Sequence, residues 1–81
     1  MKEIINQEIN VTAIRFTRQF DPIPKRIEFG GRAINFVDEG IRLSIKSGGR
    51  LTRLFDMSDG ESLFRLRQAH GQGWRLVSIS K

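Results

Sequence analysis

The residues with the widest chemical reach in this sequence are its arginines. They make up ten of fourteen basic residues, which stand against nine acids for a net charge of +5. No Asp or Glu follows Glu61, yet Arg65, Arg67, Arg75 and Lys81 do; a second acid-free stretch between Gly40 and Asp56 carries Arg42, Lys46, Arg50 and Arg53. The planar five-donor guanidinium matches phosphate oxygens, and phosphate contacts add affinity that depends on salt but hardly on base sequence. Trp74, which follows Gly71-Gln72-Gly73 and precedes Arg75, is the ring best placed to stack a base at a rim. Each feature also has a plainer reading. Arginines pair across strands, here with Glu28, Asp56 or Glu61, a charge of this size serves solubility, and the sole tryptophan of a small domain commonly anchors its core.

Catalysis has little to work with. His70 is the only histidine and sits in a polar turn, there is no cysteine, and no nucleophile motif occurs. Asp38 and Glu39, or Asp56, Asp59 and Glu61, flank turns, where acids serve structure. The oxygen-rich run Asp56 to Glu61 is half the length of a calcium loop and lacks its ligand order. The Gly30-Gly31-Arg32 and Ser47-Gly48-Gly49-Arg50 turns offer N–H groups to an anion, but without the lysine, hydroxyl and helix of a phosphate-binding loop. No metal, cofactor or reaction is expected.

The elements that position these side chains repeat with period two. Ile27 and Phe29, then Ile41, Leu43 and Ile45, then Phe64 and Leu66 alternate with polar residues, as half-buried strands do. Turn signals recur every 8–12 residues or so, the rhythm of an all-β chain. Strands are expected near 10–18, 25–29, 32–37, 41–46, 51–57, 61–68 and 73–79. Asp59-Gly60 reads as a type I′ hairpin, with Gly30-Gly31 a second. Residues 19–25, holding Pro22 and Pro24, read as a rigid connector, because proline lacks the donor a ladder needs. Residues 1–9 fit an edge strand, a short helix or a tail. Phe16, Phe29, Phe36, Phe55 and Phe64 read as core. Eighty-one residues support one domain. The expected architecture is an antiparallel meander curled into a partly closed, SH3-like barrel, since closure hides strand edges in so small a sheet.

The block from Phe64-Arg65-Leu66 through Trp74-Arg75-Leu76, with Gly31-Arg32 upstream and Asp59-Gly60 between, resembles a family of short bacterial β domains of unknown function. Members of that family occur alone or attached to DNA-metabolism proteins. The resemblance spans about residues 25–80; the family's aromatic-rich central segment is replaced here by the arginine-rich Arg42–Arg53. It implies a bacterial β domain and no reaction.

Taken together, the sequence predicts a non-enzymatic, cytoplasmic domain with no membrane insertion: no apolar run approaches the roughly 20 residues a bilayer requires. The expected partner is nucleic acid, held mainly through phosphates by Arg42, Lys46, Arg65 and Arg67 on the outward faces of their strands, by Arg53 beside an irregular stretch and by Arg75 in the last strand, with Trp74 stacking. The alternative is a protein partner that pairs with an exposed strand edge.

Overall fold

A computed structural model describes residues 1–69 and 73–81. Seven antiparallel strands account for most of them: β1 (Lys2–Phe16), β2 (Pro22–Phe29), β3 (Arg32–Asn35), β4 (Ile41–Ser47), β5 (Arg50–Ser58), β6 (Leu63–Ala69) and β7 (Trp74–Ser80). The sheet order is β3-β2-β1-β7-β6-β5-β4. Both ends are free. No ladder joins β3 to β4, so the expected barrel is not formed and the sheet stays open. Contacts made just past β3, outside any ladder, reach β5 and β6. Phe36, just past β3, packs its ring 5.7 Å from that of Phe64 on β6. The Val37 N–H then donates to the Ser58 carbonyl at the end of β5, 2.9 Å away.

The opening segment is neither tail nor helix but a strand, and its first half is laddered on one side only. It forms β1, which pairs with β7 over Lys2–Ile9 and with β2 over Asn10–Phe16. The ladder shifts register between Ile4 and Gln7, where Asn6 has a φ of 51°, and again between Val11 and Ile14. An extra residue bends a strand and adds twist, so β1 serves two differently directed sets of partners. Pro22 and Pro24 belong to β2 rather than to a connector; the intervening link is residues 17–21. They fit because β2 is paired there on the β1 side only: its ladder to β3 covers Arg26–Phe29. A proline in a strand needs such a free side.

Two hairpins follow the glycine pairs. Phe29 faces Arg32 around Gly30-Gly31, and Ser47 faces Arg50 around Gly48-Gly49, with φ values of 61° and 76°, and 56° and 80°. Positive φ at both central positions is the type I′ requirement. The Asp59-Gly60 hairpin is present but differs in kind: Ser58 faces Leu63, so four residues make the turn. The Asp59 carboxylate takes the N–H groups of Glu61 and Ser62 at 2.9 and 2.8 Å, and this holds the longer loop.

The core comprises Ile9, Ile23, Ile27, Ile34, Phe36, Phe55, Met57, Phe64, Leu66 and Leu76. Burying each large apolar side chain contributes about 1.5–3 kcal/mol. Phe29 packs at the margin of this cluster. Phe16 does not join it: the last residue of β1, it lies exposed.

Candidate interaction surfaces

Residues directly opposite each other in a sheet share a face, and neighbours along a strand lie on opposite faces. The face carrying Phe55, Met57, Phe64, Leu66 and Leu76 is inner, and its reverse is outer. Arg42 is paired with Phe55, Ser44 with Arg53 and Lys46 with Leu51, so Arg42, Lys46 and Arg53 all lie on the inner side. Arg65 is paired with Asp56, Arg67 with Leu54 and with Arg75, which places Arg65, Arg67 and Arg75 on the outer side. The six expected phosphate ligands therefore divide three and three. For Arg42 and Lys46 the reason is β4: its apolar residues, taken from the alternation as inward, point outward, and its basic residues point in; Arg53 comes from β5.

On the inner face, one row runs Ser44, Arg53, Gln68, Trp74, Ile9 across five strands. Arg53 and Trp74 are two strands apart, about 9–10 Å. Trp74 is half-buried, its ring 5.1 Å from that of Phe55, so it is chiefly a packing residue with part of its surface open. Beyond this row, a cleft of about 530 Å³ opens between β4 and the start of β2, lined among others by Asp21, Pro22, Arg42, Ser44, Arg53 and Phe55. Arg42 Nη1 reaches Asp21 Oδ2 across it at 3.4 Å, an exposed contact.

On the outer face the arginines are mostly engaged with the fold itself. Arg65 grips Asp56 with two bonds, Nε to Oδ1 at 2.8 Å and Nη2 to Oδ2 at 2.9 Å. This hydrogen-bonded pairing holds the Asp56 carboxyl below its ordinary range, burial working against it, and raises Arg65 further. Arg75 Nη1 donates to the Asn6 carbonyl at 2.9 Å, tying β7 to the bulge in β1. Arg67 is exposed and lies directly opposite Arg75.

Two of the acids that flank turns hold them by hydrogen bonds, Asp38 and Asp59. Asp38 Oδ1 accepts the Gly40 N–H at 2.9 Å. Asp59 is pushed below the ordinary carboxylate range by the Ser62 and Glu61 N–H groups it accepts. Among the described residues no group of three or more acids or histidines is arranged to hold a metal, and no helix is long and apolar enough to cross a membrane. His70 and most of the Gly71-Gln72-Gly73 turn lie outside the described residues.

A surface the alternation did not anticipate is the free edge of β4. All seven residues of this strand are exposed. Ile41, Leu43 and Ile45 are 64%, 51% and 49% accessible on the outer face, beside half-buried Leu54. The type I′ turn fixes which backbone groups are free. Its closing pair, Ser47 and Arg50, is hydrogen-bonded, and in an antiparallel ladder such pairs alternate with unbonded ones. Ile45, Leu43 and Ile41 therefore turn their N–H and C=O groups toward β5. Arg42, Ser44 and Lys46 turn theirs toward solvent.

Three comparisons with known proteins return nothing: no family model matches the chain, nor does any curated protein or solved structure.

Proposed function

We propose that this chain is a non-catalytic interaction module that joins a protein partner by adding a strand to the free edge of β4. The observation that carries this reading is the edge itself: seven exposed residues with an Ile-Leu-Ile row on one face and unpaired backbone groups between. Open, apolar edges pair readily, and soluble proteins normally blunt them. Here Arg42 and Lys46 discourage indiscriminate pairing on the inner side, while the outer row stays uncovered. Backbone bonds supply affinity in strand addition and alternate side chains supply selectivity.

The test is selection of random peptides on the immobilised protein, followed by amide hydrogen exchange. Selected peptides should carry alternating apolar residues, bind in high salt and protect the Arg42, Ser44 and Lys46 amides. Ser44→Pro should abolish binding while leaving the fold intact, because it deletes an N–H that faces away from β5. Peptides that bind equally well to the proline variant would overturn the reading.

A second reading, phosphate or nucleic-acid binding, has its own support in Arg42, Lys46, Arg53 and Trp74, which share the inner face beside the cleft. In a salt series with short single- and double-stranded DNA and RNA, Arg42→Ala with Arg53→Ala should weaken binding more than Arg65→Ala with Arg67→Ala. Absence of binding at about 50 mM salt, where phosphate contacts are strong, would remove it for those ligands.

A further inference from the structure

We infer that the strand added to β4 is the β4 of a second copy of this chain, paired antiparallel about a twofold axis through Leu43. This rests on the edge reading above and names the occupant. The argument is one of register. An isologous antiparallel contact must pair the strand with its own reverse, so each register is defined by its central residue.

Centring on Leu43 places Leu43 opposite Leu43, Ile41 opposite Ile45 and Arg42 opposite Ser44. The apolar row then meets itself along its whole length. No like charges face each other, and the acidic pair Asp38-Glu39 just ahead of β4 comes level with the Lys46–Gly48 end of the other copy. Centring on Ser44 instead sets Arg42 against Lys46. Centring on Arg42 sets it against itself. Both are penalised, because like charges directly opposite repel. Shifting by a single residue turns the apolar row of one copy toward the basic face of the other. Centring on Ile41 or Ile45 opposes no like charges but sets Leu43 against Glu39 or Ser47, so only the Leu43-centred register pairs the whole apolar row without repulsion.

The backbone agrees with it. The outward groups of Arg42 and Ser44 meet those of Ser44 and Arg42 across the axis, giving four hydrogen bonds. Leu43 against Leu43 and Ile41 against Ile45 become unbonded pairs, in which side chains approach most closely. The result is one continuous sheet with both β4 edges hidden, the liability that the open architecture leaves uncovered. A contact of one strand on each side belongs to the small interfaces, below about 1,200 Å², so monomer and dimer should exchange.

Sedimentation equilibrium across roughly 1 µM to 1 mM, the range in which a small interface dissociates, should show a monomer–dimer equilibrium that high salt does not abolish. Ser44→Pro should remain monomeric. The chain has no cysteine, so single cysteine variants read the register directly under mild oxidation. Leu43→Cys should cross-link with itself, and Ile41→Cys with Ile45→Cys in a mixture. Ser44→Cys alone should cross-link roughly tenfold more slowly, because its two Cα atoms would lie about 8–9 Å apart, beyond disulfide reach. A monomer at every concentration, or Ser44→Cys cross-linking faster than Leu43→Cys, overturns the inference. If the protein stays monomeric while selected peptides still protect the Arg42, Ser44 and Lys46 amides, the dimer falls and the edge reading stands. If neither occurs, both fall.

Discussion

Gly40→Ala should be among the most damaging single-methyl additions to this protein. Gly40 precedes β4 with a φ of 65°, and a Cβ built there would collide with the Asp56 carbonyl oxygen and lie 2.6 Å from Met57 Sδ. Two costs follow. A left-handed backbone costs an L-residue about 1–2 kcal/mol. Forcing a methyl against backbone and a fully buried methionine adds about 1–3 kcal/mol, since the carbonyl is held in a ladder and cannot retreat. Their sum, about 2–5 kcal/mol, compares with a total stability of about 4–12 kcal/mol for a chain of this size. Gly49→Ala is the control: its φ is 80° but nothing lies within 4 Å of the added carbon, so only the backbone cost applies. Urea unfolding followed by tryptophan fluorescence should therefore show a larger loss for Gly40→Ala. In thermal melts each kcal/mol corresponds to about 4–8 °C. Equal losses for the two variants would refute the claim that Gly40 is required for close packing as well as for its dihedral angle. Because Gly40 seats the start of β4 on β5, its replacement should also weaken whatever β4 binds.

Two further outcomes concern the rest of the fold. Asp56 and Asp59 both have lowered pKa values in the folded state; the unfolded chain, with carboxyls near 3.9, binds more protons as the pH drops. Their stabilisation is thus full above about pH 4 and is lost as pH falls through the depressed folded values. Denaturation midpoints measured between about pH 2 and 5 should fall with acid, and less steeply in Asp56→Asn than in the native chain. Leu66→Ala, at a position with 0% exposure, should cost about 2–5 kcal/mol in equilibrium unfolding; a loss under about 1 kcal/mol would mean that the site collapses around the missing atoms.

What could be read from the residues was period, not polarity. Alternation at Ile41, Leu43 and Ile45 correctly marks a strand, but a period of two says only that two faces differ. Which face is buried depends on what covers the strand, and β4 is exposed on both faces along its whole length. Phe64 and Leu66 carry the same pattern and face inward, where Phe36 packs against Phe64 and Phe55 and Leu76 lie beside Leu66. That single inversion separates Arg42 and Lys46 from Arg65 and Arg67. The double-glycine hairpins were legible since their dihedral demands are local. Asp59-Gly60 was legible as a turn but not in length, because the side chain that shapes it acts on residues beyond the dipeptide. The interior place of β1 had no signal: its ladders join it to β7 and β2 by register, and its bulges blur the alternation that would have announced it.

The division of β1 between two sets of partners has a consequence in time. Its first half pairs with residues 74–80, more than sixty positions away in the chain, while its second half pairs with residues 22–28. On a ribosome the β2 and β3 partners emerge early and can assemble on the second half. The first half must wait, with Ile5 and Ile9 uncovered, until the last strand appears. Contacts of such separation slow folding and leave sticky intermediates exposed meanwhile. The strand made first is thus among the last to be fully paired.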